Sequence, residues 1–585
     1  MTSHHFIVVL DANNWPSQDI DAVAATIMSC WSRCLDLQDH RTVSLTSEII
    51  KSSQRHFVSL TIFHRIFQSQ ILSFFERTSE NTGAFFFVQD SSTRSFDYCY
   101  SRRRRRHHRR TMSLPWRFTT ADDYVQGTID RLNGTTTSTA TTTSLNIGKY
   151  YLAGNDLTVR QINAILKAAV LNKHVTELTL CGITIEEDSE KENTPCVSLR
   201  QQLAELLMTR QWKRLTFTSC SGDVLSALST AHTILVDSLR VKSCPLQRHE
   251  AVALAHHLRT NSCLTHLELC EVDISNTMPP LARGIAASIS LQTLEFNYCR
   301  WTNNNNNNVA MKCLASEGLA HNKSLTTLNL PGCELEDQTI RLLVEEGIAH
   351  HSTLKHLKLF RNHCGEEGVT ALAKMLARGS DDKTQLESLD LSYQQFERAG
   401  KLNVEILATS LRNNTTIKNL ALSFNKLNDD DAECLAVGLK ANKDLVELDL
   451  RANNIRDKGA AVLAEEVVMN APKLRKFCLY GNPLGEQGAK SLLVAIRKNT
   501  ELVAMNMDYS LSVYDETQYY AYLNQVGRRL LKEQDFNPAL WTVVMERAKR
   551  LSLDTRGVCT AADLIFPFVR DPAVFGAWQQ SKKTR

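Results

Sequence analysis

Leu445-Val446-Glu447-Leu448-Asp449-Leu450-Arg451-Ala452-Asn453 states a nine-residue frame, Leu-x-x-Leu-x-Leu-x-x-Asn, that the chain repeats. One unit downstream it returns as Leu474-Arg475-Lys476-Phe477-Cys478-Leu479-Tyr480-Gly481-Asn482. One unit upstream it reads Ile417-Lys418-Asn419-Leu420-Ala421-Leu422-Ser423-Phe424-Asn425. Opening positions fall at Ile147, Val175, Trp212, Val236, Leu264, Leu291, Leu325, Leu354, Leu386, Ile417, Leu445, Leu474 and Leu502, thirteen units with a mean period of about 30 residues. A self-similar period of this size decides the architecture before any local signal, because a unit that cannot bury its own apolar face must stack on its neighbours. The two longest intervals hold the acidic stretch Glu186–Glu192 and the run Asn303–Asn308, insertions expected to bulge as loops.

Within a unit the chemistry is directional. Alternation at Leu448-x-Leu450 turns two side chains to one face of a short strand. The ninth position is Asn or Cys in nine units: Asn155, Cys220, Cys244, Cys299, Cys333, Asn362, Asn425, Asn453 and Asn482. The chain turns there with its amides buried, and buried amides need partners. An Asn side chain donates and accepts, and a thiol is a small apolar group with a weak donor. Ile183, Val272, Gln394 and Ser510 occupy the same position in the other units, and the ladder is expected to break at them. The second half of each unit is helical, as in Asp457–Val467, whose apolar residues recur at three and four. Small pairs at helix starts, Gly459-Ala460 and Gly488-Ala489, are expected to let each helix sit close to the strand layer.

These residues resemble the ribonuclease-inhibitor-like class of leucine-rich repeat, over roughly residues 145–512. The resemblance implies an α/β horseshoe solenoid of about 13 repeats, with parallel inner strands, outer helices and a helical C-terminal cap. Similar repeats occur in the sensing arm of intracellular NOD-like receptors and in the Ran GTPase-activating protein. No NACHT-like nucleotide module is read ahead of the repeats, so a complete receptor of that kind is not expected. The fold is specific and the function is not, since this class hosts inhibitors, GTPase activators, sensors and scaffolds.

The flanks read differently. Residues 1–111 carry no repeat and are expected to be poorly structured or partly helical, with candidate helices at Asp19–Leu37 and His56–Glu76. The run Arg102–Arg110 holds seven arginines in nine residues. It resembles a nuclear-import or nucleic-acid patch, against the simpler reading of a solvated linker; a translation start at Met112 is a third reading. Residues 112–144 give a short capped helix near Tyr124–Leu132 and a Thr/Ser linker. Residues 513–585 are expected to form a helical cap and tail, with Asn537-Pro538 as one helix start. The segment Leu523–Leu531 with Trp541 also resembles tails of leucine-rich-repeat proteins from diatoms and related algae.

The formal net charge of +4 lies wholly in residues 1–111, and the remainder holds 53 residues of each sign. A polyanion partner is therefore not expected for the solenoid, and nucleic acid is expected only at Arg102–Arg110 if anywhere. Sixteen cysteines scattered through the chain suggest reduced, mostly buried thiols rather than a disulfide framework. Phe6–Leu10 is too short for a signal-peptide core, and Phe57–Phe75 is interrupted by His64, Arg65, Gln68 and Gln70. A cytoplasmic, alternatively nuclear, protein without a membrane span is expected.

No catalytic set emerges, and no metal or cofactor is expected. Gly485–Ser491 approaches a phosphate loop but places Ala489 between Gly488 and Lys490, which breaks the order that loop requires. His256-His257 and His350-His351 are read as helix-end residues favourable with the helix dipole.

The inner surface is more informative. Positions three, five, seven and eight of the frame should face it or its rim. They supply Tyr298, Phe360, Arg361, Tyr393, Phe424, Tyr480 and Tyr509, with the charges Arg240, Lys242, Glu268, Glu295, Lys358, Asp390, Asp449, Arg451 and Asp508. Exposed aromatics beside arginine are the material of interface hot spots. The competing reading folds these rings over the neighbouring turn. The expected function is a non-enzymatic intracellular scaffold that binds a protein partner through Tyr298, Phe360, Arg361, Tyr393, Phe424 and Tyr480. The alternative is a GTPase-activating protein for a Ran-like small GTPase, although the chain ends in Lys582-Lys583-Thr584-Arg585 rather than the acidic tail of that family. A ribonuclease inhibitor would need an acidic inner face, which these mixed charges do not supply.

Overall fold

The computed structural model of the chain describes residues 121–134, 143–148, 157–183, 198–302, 308–377, 385–394, 404–529, 540–554 and 560–570. All belong to the unit Thr111–Arg585, the other compact unit being Met1–Arg110. The readings made for residues 1–111, including Arg102–Arg110, lie outside the described residues, as do Asn155 and the acidic stretch at 186–192.

The strands are β1 Ser144–Gly148, β2 Glu177–Cys181, β3 Gln211–Thr218, β4 Leu235–Lys242, β5 His266–Cys270, β6 Thr293–Asn297, β7 Thr327–Asn329, β8 His356–Lys358, β9 Ser388–Asp390, β10 Asn419–Ala421, β11 Glu447–Asp449, β12 Lys476–Cys478 and β13 Ala504–Asn506. They form one parallel sheet in sequence order, β1 to β13, with helices packed behind it, an open leucine-rich-repeat solenoid. In-register pairing places Leu178, Leu215 and Leu239 side by side, and likewise Leu420, Leu448 and Phe477. All are fourth-position residues, and all are buried. Each buried Leu contributes about 1.5–3 kcal/mol, so the stack is held by a continuous apolar spine rather than by any single contact.

The register corrects one frame. Leu145 pairs with Leu178 and Ile147 with Leu180, so Ile147 is a sixth-position residue and its unit opens five residues earlier than the sequence suggested. The apolar pair Leu145-x-Ile147 is the true strand signal, and Ile147 mimicked an opening position because Leu152 follows at the right distance.

The ninth-position side chains do the work expected of them. Asn453 Nδ2 donates to Leu422 O and Leu450 O, both at 3.0 Å, and its Oδ1 accepts from Asn425 N at 2.8 Å and Leu427 N at 3.1 Å. Where Cys replaces Asn the thiol keeps the donor, as in Cys333 Sγ to Phe296 O at 2.8 Å, and at Cys244 the sulfur also accepts from Cys220 N at 3.3 Å. Gln394 does not interrupt the ladder: Nε2 donates to Leu359 O at 2.8 Å and Oε1 accepts from Cys364 N at 3.0 Å. Its extra methylene moves the amide by one position and keeps both functions. All eleven cysteines among the described residues are free thiols.

A second polar ladder escaped the sequence reading. Three residues before the opening position, Asn322, Asn414, Asn442 and Asn499 each accept from two following amides and donate to carbonyls of the preceding unit, as in Asn442 Nδ2 to Leu411 O at 2.8 Å. His351 replaces Asn in one unit, and its Nδ1 accepts from Thr353 N at 3.3 Å and Leu354 N at 3.2 Å. That role requires the neutral ring, and burial pushes its pKa down to about 4. Burial lowers His257 as well, so the helix-dipole reading, which favours the cation, is corrected for His257 and His351. Because the His351 pKa is depressed from an ordinary 6.5 to about 4, its contribution is complete above pH 6.5 and is lost as pH falls toward 4. The size of that loss is about 3 kcal/mol. Chemical denaturation at pH 7 and pH 4.5 should show it, and His351→Asn should flatten this part of the profile; an unchanged profile would contradict the assignment.

Helices of successive units approach each other closely at their glycines. A Cβ on Gly459 would come within 2.6 Å of Asp429 Oδ1 and 3.0 Å of Ala432 Cβ, both in the preceding unit. The small pairs therefore serve helix-to-helix stacking, not the helix–strand contact expected from sequence. The same approach builds a relay of caps. Asp457 Oδ1 accepts from Gly485 N at 2.9 Å and Gly488 N at 2.7 Å, and Asp429 and Asp337 do the same one unit on. A carboxylate answering orphan amides at a helix start is also favoured by the helix dipole. Asp457→Ala should cost about 1–2 kcal/mol and speed amide exchange at Gly485 and Gly488; unchanged exchange there would refute the relay.

Unit length is absorbed in the helix. Units of 28 residues, such as Ile417 to Leu445, carry a regular α-helix, Asp429–Leu439. Units of 29, such as Leu325 to Leu354 and Leu445 to Leu474, carry a π-helical turn, Leu343–Gly347 and Leu463–Val468. A π turn accommodates one extra residue without shifting the next strand.

At the β1 end, helix Ala121–Asn133 buries Tyr124, Val125, Thr128 and Leu132. At the other end helix Tyr514–Val526 covers the edge of β13: Gln518 Nε2 donates to Met505 O at 2.6 Å and Gln525 Nε2 to Val503 O at 2.7 Å. An edge strand covered in this way offers no template for a further strand.

Candidate protein-binding surface

Eighth-position residues of eleven units share an unusual backbone, Tyr509 of the last unit standing outside it. Gly182, Gly332 and Gly481 have positive φ, and so do Ser219, Ser243, Glu271, Tyr298, Arg361, Tyr393, Phe424 and Ala452, all at +51 to +75°. The cause is the turn after each strand. The eighth N–H donates to the seventh carbonyl of the next unit, as in Tyr393 N to Ser423 O at 2.8 Å and Phe424 N to Arg451 O at 2.9 Å. Holding that ladder places the residue in the left-handed region, which costs a side chain with a Cβ about 1–2 kcal/mol. Glycine or a small residue answers this in six units and Glu271 stands in a seventh; four units keep Tyr298, Arg361, Tyr393 and Phe424.

These four come together with Phe360. The Arg361 guanidinium lies 5.7 Å from the Tyr298 ring centre and 5.8 Å from that of Tyr393. It reaches past the intervening unit because Gly332 there has no side chain and lies directly beneath the Tyr298 ring. Tyr393 meets Phe360 at 5.9 Å and Phe424 at 5.7 Å between centroids. The outcome joins both sequence readings: the rings pack on one another, yet Tyr298, Tyr393 and Phe424 keep 46%, 40% and 50% of their surface exposed. Phe360 is half-buried and Arg361 exposed. Tyr480 and Tyr509, 48% and 68% exposed, make no ring contact with this row among the described residues. Ala452, at the eighth position of the unit after Phe424, ends the run of large side chains.

Most of the predicted charges are already engaged. Arg240 pairs with Glu268 at 3.0 Å, Lys242 with Glu271 at 3.4 Å, and Arg451 with Asp449 at 2.6 Å. Asp390 accepts from Ser392 N at 2.9 Å, and Asp508 from Gly481 N at 3.3 Å. Glu295 accepts from Asn297 and Asn329. Lys358, exposed on β8, makes no ion pair among the described residues. The ligand-type atoms of His266, Glu268 and Glu295 lie within 4.8 Å of one another. Arg240 and two amides already hold those carboxylates, so the set is a hydrogen-bonded network of the sheet.

The fold and this surface define a leucine-rich-repeat solenoid, and sequence comparison agrees. The family model "Leucine Rich repeat" matches residues 350–373, 413–436 and 441–464. The NACHT, LRR and PYD domains-containing protein 5 of Bos taurus is 28% identical over 252 residues, 38% of this chain and 22% of that protein. Protein 14 of the same naming, from Homo sapiens, is 26% identical over 361 residues, 52% of this chain and 32% of that protein. The chain thus spans about a third or less of the length of these curated relatives. Among solved structures, an internalin of Listeria monocytogenes aligns with a TM-score of 0.34 at 16% identity, over 66% of this chain and 92% of its own. Yeast Rad7 in complex with Elc1 aligns with a TM-score of 0.32 at 13% identity, over 63% and 75%. Among the described residues no helix is long and apolar enough to cross a membrane.

Proposed function

We propose that the chain is a non-enzymatic intracellular scaffold that captures a protein partner on the row formed by Tyr298, Phe360, Arg361, Tyr393 and Phe424, with Tyr480 as an outlying contact. The observation that carries this reading is the retention of large side chains at left-handed positions, φ +56 to +58° at Tyr298, Arg361, Tyr393 and Phe424. Backbone strain of this kind points to a use for the side chain. A solenoid presents such a row as one continuous surface, and aromatic plus arginine composition suits a hot spot. The ribonuclease-inhibitor-like class and a cytoplasmic location belong to this proposal. The test is affinity capture from native lysate with the full chain and with its Phe360→Ala/Tyr393→Ala variant. A partner held by the first and lost by the second supports the reading, and identical captures reject it. If that partner is a small GTPase, its hydrolysis rate with and without the chain decides between scaffold and Ran-type activator.

A further inference from the structure

At the Tyr298 end of the row, the turns after β4 to β7 enclose a groove of about 810 Å³. Its walls carry Glu271, Asp273, Glu334 and Glu336, and Arg300 is the cation among the lining residues. Arg300 is committed to Asp273 at 3.4 Å, and Lys242 to Glu271 at 3.4 Å. Glu334 and Glu336 are exposed and make no ion pair among the described residues. The groove therefore keeps two uncompensated carboxylates. Trp301 lines it too, 3% exposed, with an indole N–H that has no oxygen or nitrogen acceptor. That group leans on the Cys333 sulfur, a weak acceptor.

We propose that this groove receives a lysine- or arginine-bearing segment of the partner protein, an inference that rests on reading the aromatic row as the partner-binding surface. Three observations support it. The volume suits a short stretch of chain rather than an ion. The unpaired charge is negative, so a cation is attracted and an acidic segment repelled. Tyr298 is shared by groove and row, so a segment lying across Arg361 and Tyr393 runs on into the groove. At the opposite end of the row, Lys426 beside Phe424 is exposed and makes no ion pair among the described residues; the basic part of the segment is thereby directed to the groove end.

The experiment uses fluorescence anisotropy with the full chain and two labelled peptides, one with two arginines flanking a tyrosine and one with glutamine in place of each arginine. The arginine peptide should bind about tenfold more tightly, with affinity falling as salt rises. Glu334→Gln/Glu336→Gln should remove that tenfold preference and leave the glutamine peptide unchanged; both sites are exposed, and the unfolding midpoint verifies the fold. An unchanged preference in this variant overturns the groove. Displacement by spermine as effective as by the arginine peptide overturns the peptide assignment. If Phe360→Ala/Tyr393→Ala weakens neither peptide, it is the row that fails, and with it the basis of this proposal.

Discussion

Asn453→Ala is expected to destabilise the solenoid by about 3–5 kcal/mol, among the largest effects of any single polar substitution in the chain. The reason is the number of groups one side chain serves. Asn453, 4% exposed, answers the carbonyls of Leu422 and Leu450 and the amides of Asn425 and Leu427. Alanine leaves four backbone groups in an interior where each unanswered one costs about 1–3 kcal/mol, part of which is recovered by relaxation. Asn453→Cys makes the comparison sharper, because other units use that residue at the same place. A thiol restores a donor to a carbonyl, as Cys299 does to Leu269 O at 3.3 Å, and should recover roughly half the loss. Denaturant titration reports the total. Hydrogen exchange at the Asn425 and Leu427 amides reports the place, which matters because a stacked array need not unfold in one step. A loss under about 1 kcal/mol with protection unchanged would show that the ladder is decorative rather than structural.

The repeat signal carried the fold because each of its positions has one physical task. Apolar residues at positions one, four and six meet a single spine, so Leu445, Leu448 and Leu450 are all buried, and twelve of the thirteen frames agree with the strand register. The exception, Ile147, arose where the flanking residues happen to repeat the apolar spacing. What stayed hidden was contact between units. The caps from Asp337, Asp429 and Asp457 answer amides about 30 residues away, and no local pattern records that separation. The Asn ladder at the helix ends was visible as Asn-x-x-Leu in Asn322–Leu325 and Asn442–Leu445, but its partners lie in the preceding unit. For the surface, frame position picked out side chains that the structure places in one row, Tyr298, Phe360, Arg361, Tyr393 and Phe424, with Tyr480 apart from it. The left-handed backbone beneath them was not legible, because φ at Tyr393 is imposed by the Ser423 carbonyl of the next unit and not by anything in the residue itself.

That backbone makes the second large effect separable from stability. Phe360→Ala/Tyr393→Ala is expected to weaken partner binding by at least about 2 kcal/mol, thirtyfold or more. The unfolding midpoint should move little, because the rings keep much of their surface in water and contribute mainly through contacts with each other at 5.7–5.9 Å. Alanine at 393 inherits the +56° φ of Tyr393 and therefore relieves no strain. Tyr393→Gly removes the same ring and does relieve it, so stability should rise by about 0.5–1 kcal/mol while binding falls as far as in the alanine variant. A gain in stability joined to a loss of binding is what strain retained for recognition predicts. If instead both Tyr393→Gly and Tyr393→Ala lower the midpoint together, the row is a packing element of the rim, and the partner must engage another part of the solenoid.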